Sequence, residues 1–299
     1  MRKVILKQTQ SPGDILTFTR AVADLKQSFP DWEIDVRSPC PAIWENNPNL
    51  TPLDEDDKGV EVFTIGYPEI NECGWRQEHW TDAFRHEVEK QLGVSIKKTS
   101  ITPQLWISEE ERSWYNQVHC EFNWDGPYWI INAGSKQDNE LKQYHRWQEV
   151  ADLFNKHFKG KVKLVQIGSD AHNHKPLNGV LDLVGKTDTR QLIRLCHCSS
   201  GVIGPLSFQF VIGAALSLPN VVLAAGKEDV RWHLYPSAQY IYANGCLNCC
   251  SWGGCWLGGG LGKCKDLVNG VPRCFSIITP QHIFDRVKMY YDGGILKIN

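Results

Sequence analysis

Near the start of the chain, Val4-Ile5-Leu6 form a short unbroken apolar run between charged residues, the pattern of a buried strand. The run breaks at Ser11-Pro12-Gly13-Asp14. Beyond it Ile15, Phe18, Val22, Leu25 and Phe29 recur three and four apart until Pro30, which predicts a helix. Trp32 to Val36 then alternates as a second strand. Strand, glycine-containing turn, helix and strand make the opening of a Rossmann-like unit.

A second series begins after Asp125-Gly126-Pro127, the expected domain boundary. Tyr128 to Asn132 reads as a strand, 142–158 as a helix and Val162 to Ile167 as a strand. A helix at 188–197, a short strand Gly201 to Gly204, a small-residue helix at 207–217 and a strand Asn220 to Ala225 follow. Alternation over about a hundred residues argues for a mostly parallel sheet covered on both faces. The expected organisation is two α/β domains, 1–127 and 128–299, with ligand bound in the cleft between them. The acidic loop Asp54 to Asp57 and the Trp- and His-rich stretch 70–125 resist assignment; the latter reads as acceptor-side loops or packed surface.

Composition narrows the class. The 299 residues are 42% hydrophobic and 22% charged with a net charge of −2, an ordinary globular balance that argues against a general nucleic-acid binder. The chain lacks an apolar stretch of membrane-spanning length, and its start, MRKVILKQTQ, does not resemble a signal peptide, so a cytoplasmic protein is expected. Of 11 cysteines, six (Cys246, Cys249, Cys250, Cys255, Cys264 and Cys274) cluster near the end. In a chain expected to stay in a reducing compartment, such a cluster reads as a metal site before a disulfide framework, with packed thiols as the alternative.

The ordered pieces resemble glycosyltransferase family 9, the ADP-heptose-type heptosyltransferases. The segment KVILKQTQSPGDILTFTRAVADLKQSFPDWEIDV is similar to that family's strand–GD–helix–FPD–strand opening. INAGSKQDNELKQYHRWQEVADLF, LVGKTDTRQLIRL, VIGPLSFQFVIGAALSLPNVVLA, VRWHLYP and RCFSIITPQHIFDRV follow in family order. The likeness is weakest between about 45 and 125. It implies a GT-B fold, two Rossmann-like domains across a cleft, and an enzyme moving a sugar from a nucleotide sugar (ADP-heptose or similar) to a hydroxyl-bearing or carbohydrate acceptor. One departure stands out: the family's donor-side aspartate and histidine are Leu206 and Val211 here. Leu206-Ser207-Phe208 and Cys255-Trp256 look closer to the autotransporter-heptosyltransferase branch, which carries a cysteine-bound metal finger.

Inverting transfer needs a base for the acceptor hydroxyl and charge or oriented N–H groups for the departing diphosphate. Asp14, in the GD motif after Gly13, is the expected base; its alternative is a plain helix N-cap. Lys142, with Lys136 nearby, is the phosphate candidate, and Gly134 and Ser135 offer backbone and hydroxyl contacts. Ser207 heads a helix whose N–H groups suit an anion. Gly185-Lys186-Thr187, like the family's GKT turn, is expected to line the nucleotide base, and Arg231 and Trp232 to stand on the donor rim. The finger 246–274 is expected to hold structural zinc or iron through Cys249 (or Cys250), Cys255, Cys264 and Cys274; Cys246-x2-Cys249 also has knuckle spacing. Cys196 and Cys198 read as core thiols, and His172 and His174 as exposed loop histidines. Two other readings stay open: a catalytically inactive relative that binds a nucleotide sugar or protein, and a zinc-finger interaction module on an α/β scaffold.

Overall fold

The computed structural model describes residues 2–67, 78–136, 142–226, 228–243, 247, 255 and 264–292. Strands β1 (Lys3–Lys7), β2 (Glu33–Arg37) and β3 (Val60–Thr64) form a parallel sheet in the order β2-β1-β3. Helix α1 (Pro12–Ser28) links β1 to β2, with proline in its first turn, where a missing N–H costs nothing. Residues 15–25 of α1 are all buried, so the helix is wrapped on every side rather than amphipathic. The two charges this brings inside compensate each other: Arg20 meets Asp24 at 2.7 Å, and Thr99 Oγ1 donates to Asp24 at 2.5 Å.

Helix α2 (Trp80–Leu92) packs on α1 through Trp80, Phe84 and Val88, all buried, with the Phe84 ring 5.6 Å from Phe18. It is capped by the His79 side chain and ends at Gly93, whose φ of 66° is the left-handed conformation that glycine adopts freely. The expectation of loops or packed surface is thus corrected over 80–92, where a core helix stands. Single turns of helix at Glu109–Ser113 and Gln117–Phe122 follow.

The larger sheet is parallel throughout: β4 (Tyr128–Ile131), β5 (Lys163–Gln166), β6 (Leu181–Asp182), β7 (Gly201–Pro205), β8 (Asn220–Ala225) and β9 (Ala238–Tyr242), in the order β6-β5-β4-β7-β8-β9. Alternate residues feed two cores. Trp129, Ile131, Leu164, Ile203 and Val221 face α3 (Trp147–Phe158) and a C-terminal helix, Pro280–Asp292. Ile130, Val165, Val202 and Val222 face the other way, with α4 (Thr189–His197) and α5 (Phe208–Ala215), into a core continuous with that around α1.

The two sheets are therefore joined through one apolar mass. A buried polar clamp reinforces the junction: Arg190 of α4 meets both carboxylate oxygens of Glu111, at 2.7 and 2.5 Å, and donates to the carbonyls of Ala42 and Trp106. A Cβ added at Gly13 would stand 3.7 Å from the Phe208 Cα, so the N-termini of α1 and α5 approach closely.

Two local expectations change. The helix expected over 142–158 begins only at Trp147, because Tyr144 is buried with its hydroxyl on the Ile278 carbonyl at 2.8 Å, which fixes the preceding chain in another path. Cys196 is buried as expected, whereas Cys198, at the C-terminal end of α4, is exposed. Among the described residues, no helix is long and apolar enough to cross a membrane.

Candidate active site

Strand order in the larger sheet reverses between β4 and β7, the place where open parallel sheets bind ligands beyond their carboxyl ends. A cavity of about 570 Å³ lies there, closed on its far side by the turn after β1. It gathers Gly13, Asp14, Gly134, Ser135, Lys136, Lys142, Gly185, Thr187, Ser207 and Trp232 from across the chain. Lys186 and Arg231 do not line it. Lys186 lies over the Phe122 ring, 5.9 Å from its centroid, and Arg231 is paired with Asp229.

Asp14 sits in the first turn of α1, yet the N-cap is Ser11 and its side chain makes no capping bond. The Asp14 carboxylate turns into the cavity instead, where Tyr67 OH donates at 3.3 Å and Trp80 Nε1 at 3.2 Å. Burial pushes its pKa up to about 6, and Glu228 adds to the rise. The bond from Trp80, the charge of Lys142 and the bond from Tyr67 pull against that shift. Asp14 is thus a carboxylate at neutral pH with more proton affinity than an exposed one.

Lys142 lies in the segment ahead of α3, not on the helix as expected. Its Nζ donates to the Leu206 carbonyl at 3.0 Å and pairs with Glu228 at 2.6 Å. Glu228, just beyond β8, lies 3.6 Å from His233 Nε2. Burial holds His233 down to about 4 and His79 down to about 3, so both rings are neutral near pH 7.

Trp232 was expected at the rim and is instead 2% exposed, stacked on Trp80 with centroids 5.7 Å apart. That stack joins the 3-10 turn Val230–His233 to α2 across the two sheets, which is why the indole is inside.

The opposite wall is built close to the backbone. A side chain at Gly134 would collide with the Asn173 carbonyl and the His174 ring, and one at Gly168 with the same ring. His172 and His174, expected as exposed loop residues, are half-buried and line the cavity, because Asn173 N donates to the Ser135 carbonyl at 3.1 Å and draws their loop inward. Asn132, at the end of β4, donates to Ser207 Oγ at 3.1 Å and to Gln209 Oε1 at 3.0 Å. The Ser207 hydroxyl is therefore engaged with Asn132 and Gln209 rather than capping α5. Leu206 and Val211 also face the cavity.

Sequence reasoning missed Tyr67, Trp80, Asn132, Glu228 and His233. Asn132 and Glu228 follow strands of the parallel sheet, so the strand-end rule pointed to them; Tyr67, Trp80 and His233 carried no such signal.

Among the described residues, no three metal-ligating side chains come together. Cys246, Cys249 and Cys250 lie outside the described residues. Cys255 N donates to the Gly226 carbonyl at 3.1 Å, Cys264 Sγ contacts the Asp266 backbone and Cys274 is buried in the second core. These cysteines alone do not assemble a four-thiolate site.

No protein-family model and no curated protein matches the sequence. Solved structures do match over nearly the whole chain. A family 9 glycosyltransferase from Veillonella parvula superposes with a TM-score of 0.72 at 15% identity, covering 98% of each chain. The iron-containing dodecameric glycosyltransferase TibC from enterotoxigenic E. coli gives 0.68 at 18% identity, over 98% of this chain and 77% of that one. E. coli ADP-heptose lipopolysaccharide heptosyltransferase II gives 0.61 at 16%, over 98% and 100%. The chain therefore has the fold of the family 9 glycosyltransferases.

Proposed function

We propose that the protein is a glycosyltransferase that moves a sugar, with inversion, from a nucleoside-diphosphate donor to an acceptor hydroxyl. The observation that carries this reading is that Asp14 and Lys142, from the two halves of the chain, face one cavity at a strand-order switch point. Solved structures of the same fold include heptosyltransferases, one in complex with ADP-D-β-D-heptose, which supports a heptose donor.

In this reading Asp14 takes the proton of the acceptor hydroxyl as that oxygen attacks the anomeric carbon. The bond from that carbon to the diphosphate breaks on the opposite face. Lys142 and the N-terminal amides of α5 meet the charge left on the diphosphate. Gly134, Ser135, Gly185 and Thr187 form the wall for the nucleotide, and the Trp80–Trp232 pair walls the reacting centre from water. The domain division at 127/128 belongs to the same reading, as acceptor and donor halves. So does a structural zinc or iron finger over 246–274, supported by the cysteine spacing and by the iron-containing neighbour of like fold; no catalytic step rests on it. Elemental analysis giving one zinc or iron per chain is the expected result.

An inactive nucleotide-sugar binder is the second reading, favoured by the apolar Leu206 and Val211 in the cavity wall. Asp14→Asn separates the two: loss of turnover with donor binding retained is expected of an enzyme, and wild-type binding without turnover of the bound donor is expected of the inactive relative.

A further inference from the structure

Glu228 plays no part in the steps above, yet its position is conspicuous. It is 8% exposed, lines the cavity and places one carboxylate oxygen 2.6 Å from Lys142 Nζ. For binding a diphosphate alone, such a group is a handicap. It repels the anion and already occupies the lysine meant for it. Nor is it the lysine's sole anchor, because the Leu206 carbonyl also accepts from Nζ.

The wall beside Glu228 is polar and incomplete. His233 Nδ1 and Trp232 Nε1 are buried and have no hydrogen-bond partner among the described residues. Buried polar atoms in native proteins are nearly always paired, so these two atoms beside Glu228, like the ring nitrogens of His174 elsewhere in the same wall, mark a polar guest. The cavity's other carboxylates serve elsewhere: Asp188 caps α4, Asp170 packs beside Gly185, and Asp14 is held by Tyr67 and Trp80. Glu228 instead sets its carboxylate on the cavity wall against Lys142 and His233, close enough to Asp14 to raise that residue's proton affinity.

We propose that Glu228 reads the transferred sugar, its carboxylate accepting hydrogen bonds from hydroxyls of the donor glycosyl group, with Trp232 Nε1 donating to the same group. This deepens the glycosyl-transfer reading and rests on it. The ligand class is a polyhydroxylated sugar esterified to a nucleoside diphosphate. Glu228 thereby discriminates the sugar nucleotide from the nucleoside diphosphate left after transfer, which keeps the phosphate contacts and loses the hydroxyls.

The test is calorimetric titration of the full-length protein with two probes, ADP and ADP-heptose, for wild type and Glu228→Gln. The variant keeps size and the carbonyl oxygen facing Lys142 and removes the charge. ADP affinity is expected to hold or rise, because Lys142 is no longer shared. ADP-heptose affinity relative to ADP is expected to fall by about tenfold or more, the scale of a lost hydrogen bond to a charged group. A ratio within twofold of wild type overturns the proposal, whether both affinities stay put or both fall together; a joint fall marks Glu228 as a positioning residue for Lys142. Glu228→Asp, which withdraws the carboxylate while keeping its charge, is expected to lose the same sugar preference and serves if the Gln variant fails to melt cooperatively. Failure of the wild-type protein to bind either probe overturns transfer from an adenine nucleotide sugar itself, and is thereby distinct from a preserved ratio.

Discussion

The indole N–H of Trp80 ends on the carboxylate of Asp14 at 3.2 Å, so a residue 66 positions further along the chain tempers the proton affinity of one near its start. That bond stabilises the ionised form and lowers the Asp14 pKa against the burial that holds it near 6. In its proposed role as general base Asp14 must be deprotonated, so the rate is expected to fall as pH drops through about 6. Trp80→Phe keeps a ring against Trp232 and removes the donor. Its acid limb is expected to move to higher pH in a pH–rate profile; an unmoved limb would detach Trp80 from the base.

Asp14→Asn is expected to lower turnover by about a hundredfold to ten-thousandfold, the usual weight of a general base. The same change is expected to stabilise the fold. A carboxyl with a raised native pKa binds more protons folded than unfolded, so wild-type stability declines as pH rises from about 4 to about 6. The amide variant escapes that decline and is expected to gain on the order of 1–3 kcal/mol at pH 7. Thermal denaturation at pH 4 and pH 7 checks the sign, since the gain belongs only to the higher pH.

Gly134 has no room for a methyl group beside Asn173 and His174. Gly134→Ala is expected to lose about 1–3 kcal/mol of stability through overpacking and to weaken donor binding by pushing out the loop that carries His172 and His174. Gly168→Ala, which meets the same ring, is expected to act in the same direction. Denaturant titration and nucleotide affinity measure both.

Arg190 and Glu111 hold the two halves together from inside, at 9% and 7% exposure. Arg190→Met strands the Glu111 carboxylate and is expected to cost about 3–5 kcal/mol. Arg190→Met combined with Glu111→Leu is expected to recover much of that loss, because the uncompensated charge is gone. A double variant no better than the single one would show that the carbonyl bonds to Ala42 and Trp106 matter more than the ion pair.

The parallel strands and their linking helices were legible because each carries its own period: Val4-Ile5-Leu6 and Asn220 to Ala225 are apolar runs, and α1 repeats at three and four. That Asp14 and Lys142 lie at one cavity was legible through their place in an ordered set of motifs. Their environment was not. Trp80 belongs to a helix whose charged and aromatic residues blur its period, and its partner Trp232 lies about 150 residues further along. The Lys142–Glu228 pair joins a stretch expected to be helical to the loop after β8, and only the packed fold makes them neighbours. Rim and core were confused for Trp232 for the same reason, since a stack between two halves leaves no trace in local pattern.

The most direct test of glycosyl transfer is a thermal-shift and product screen of the purified, metal-replete protein against ADP-, GDP-, UDP- and CDP-sugars. A ligand that binds the native state raises the melting temperature by an amount that grows with the ratio of its concentration to its Kd. Transfer at this cavity requires selective stabilisation by one nucleotide sugar, slow release of its nucleoside diphosphate, and loss of that release but not of the shift in Asp14→Asn. Absence of any shift from a folded wild-type protein, or release undiminished in Asp14→Asn, would contradict it.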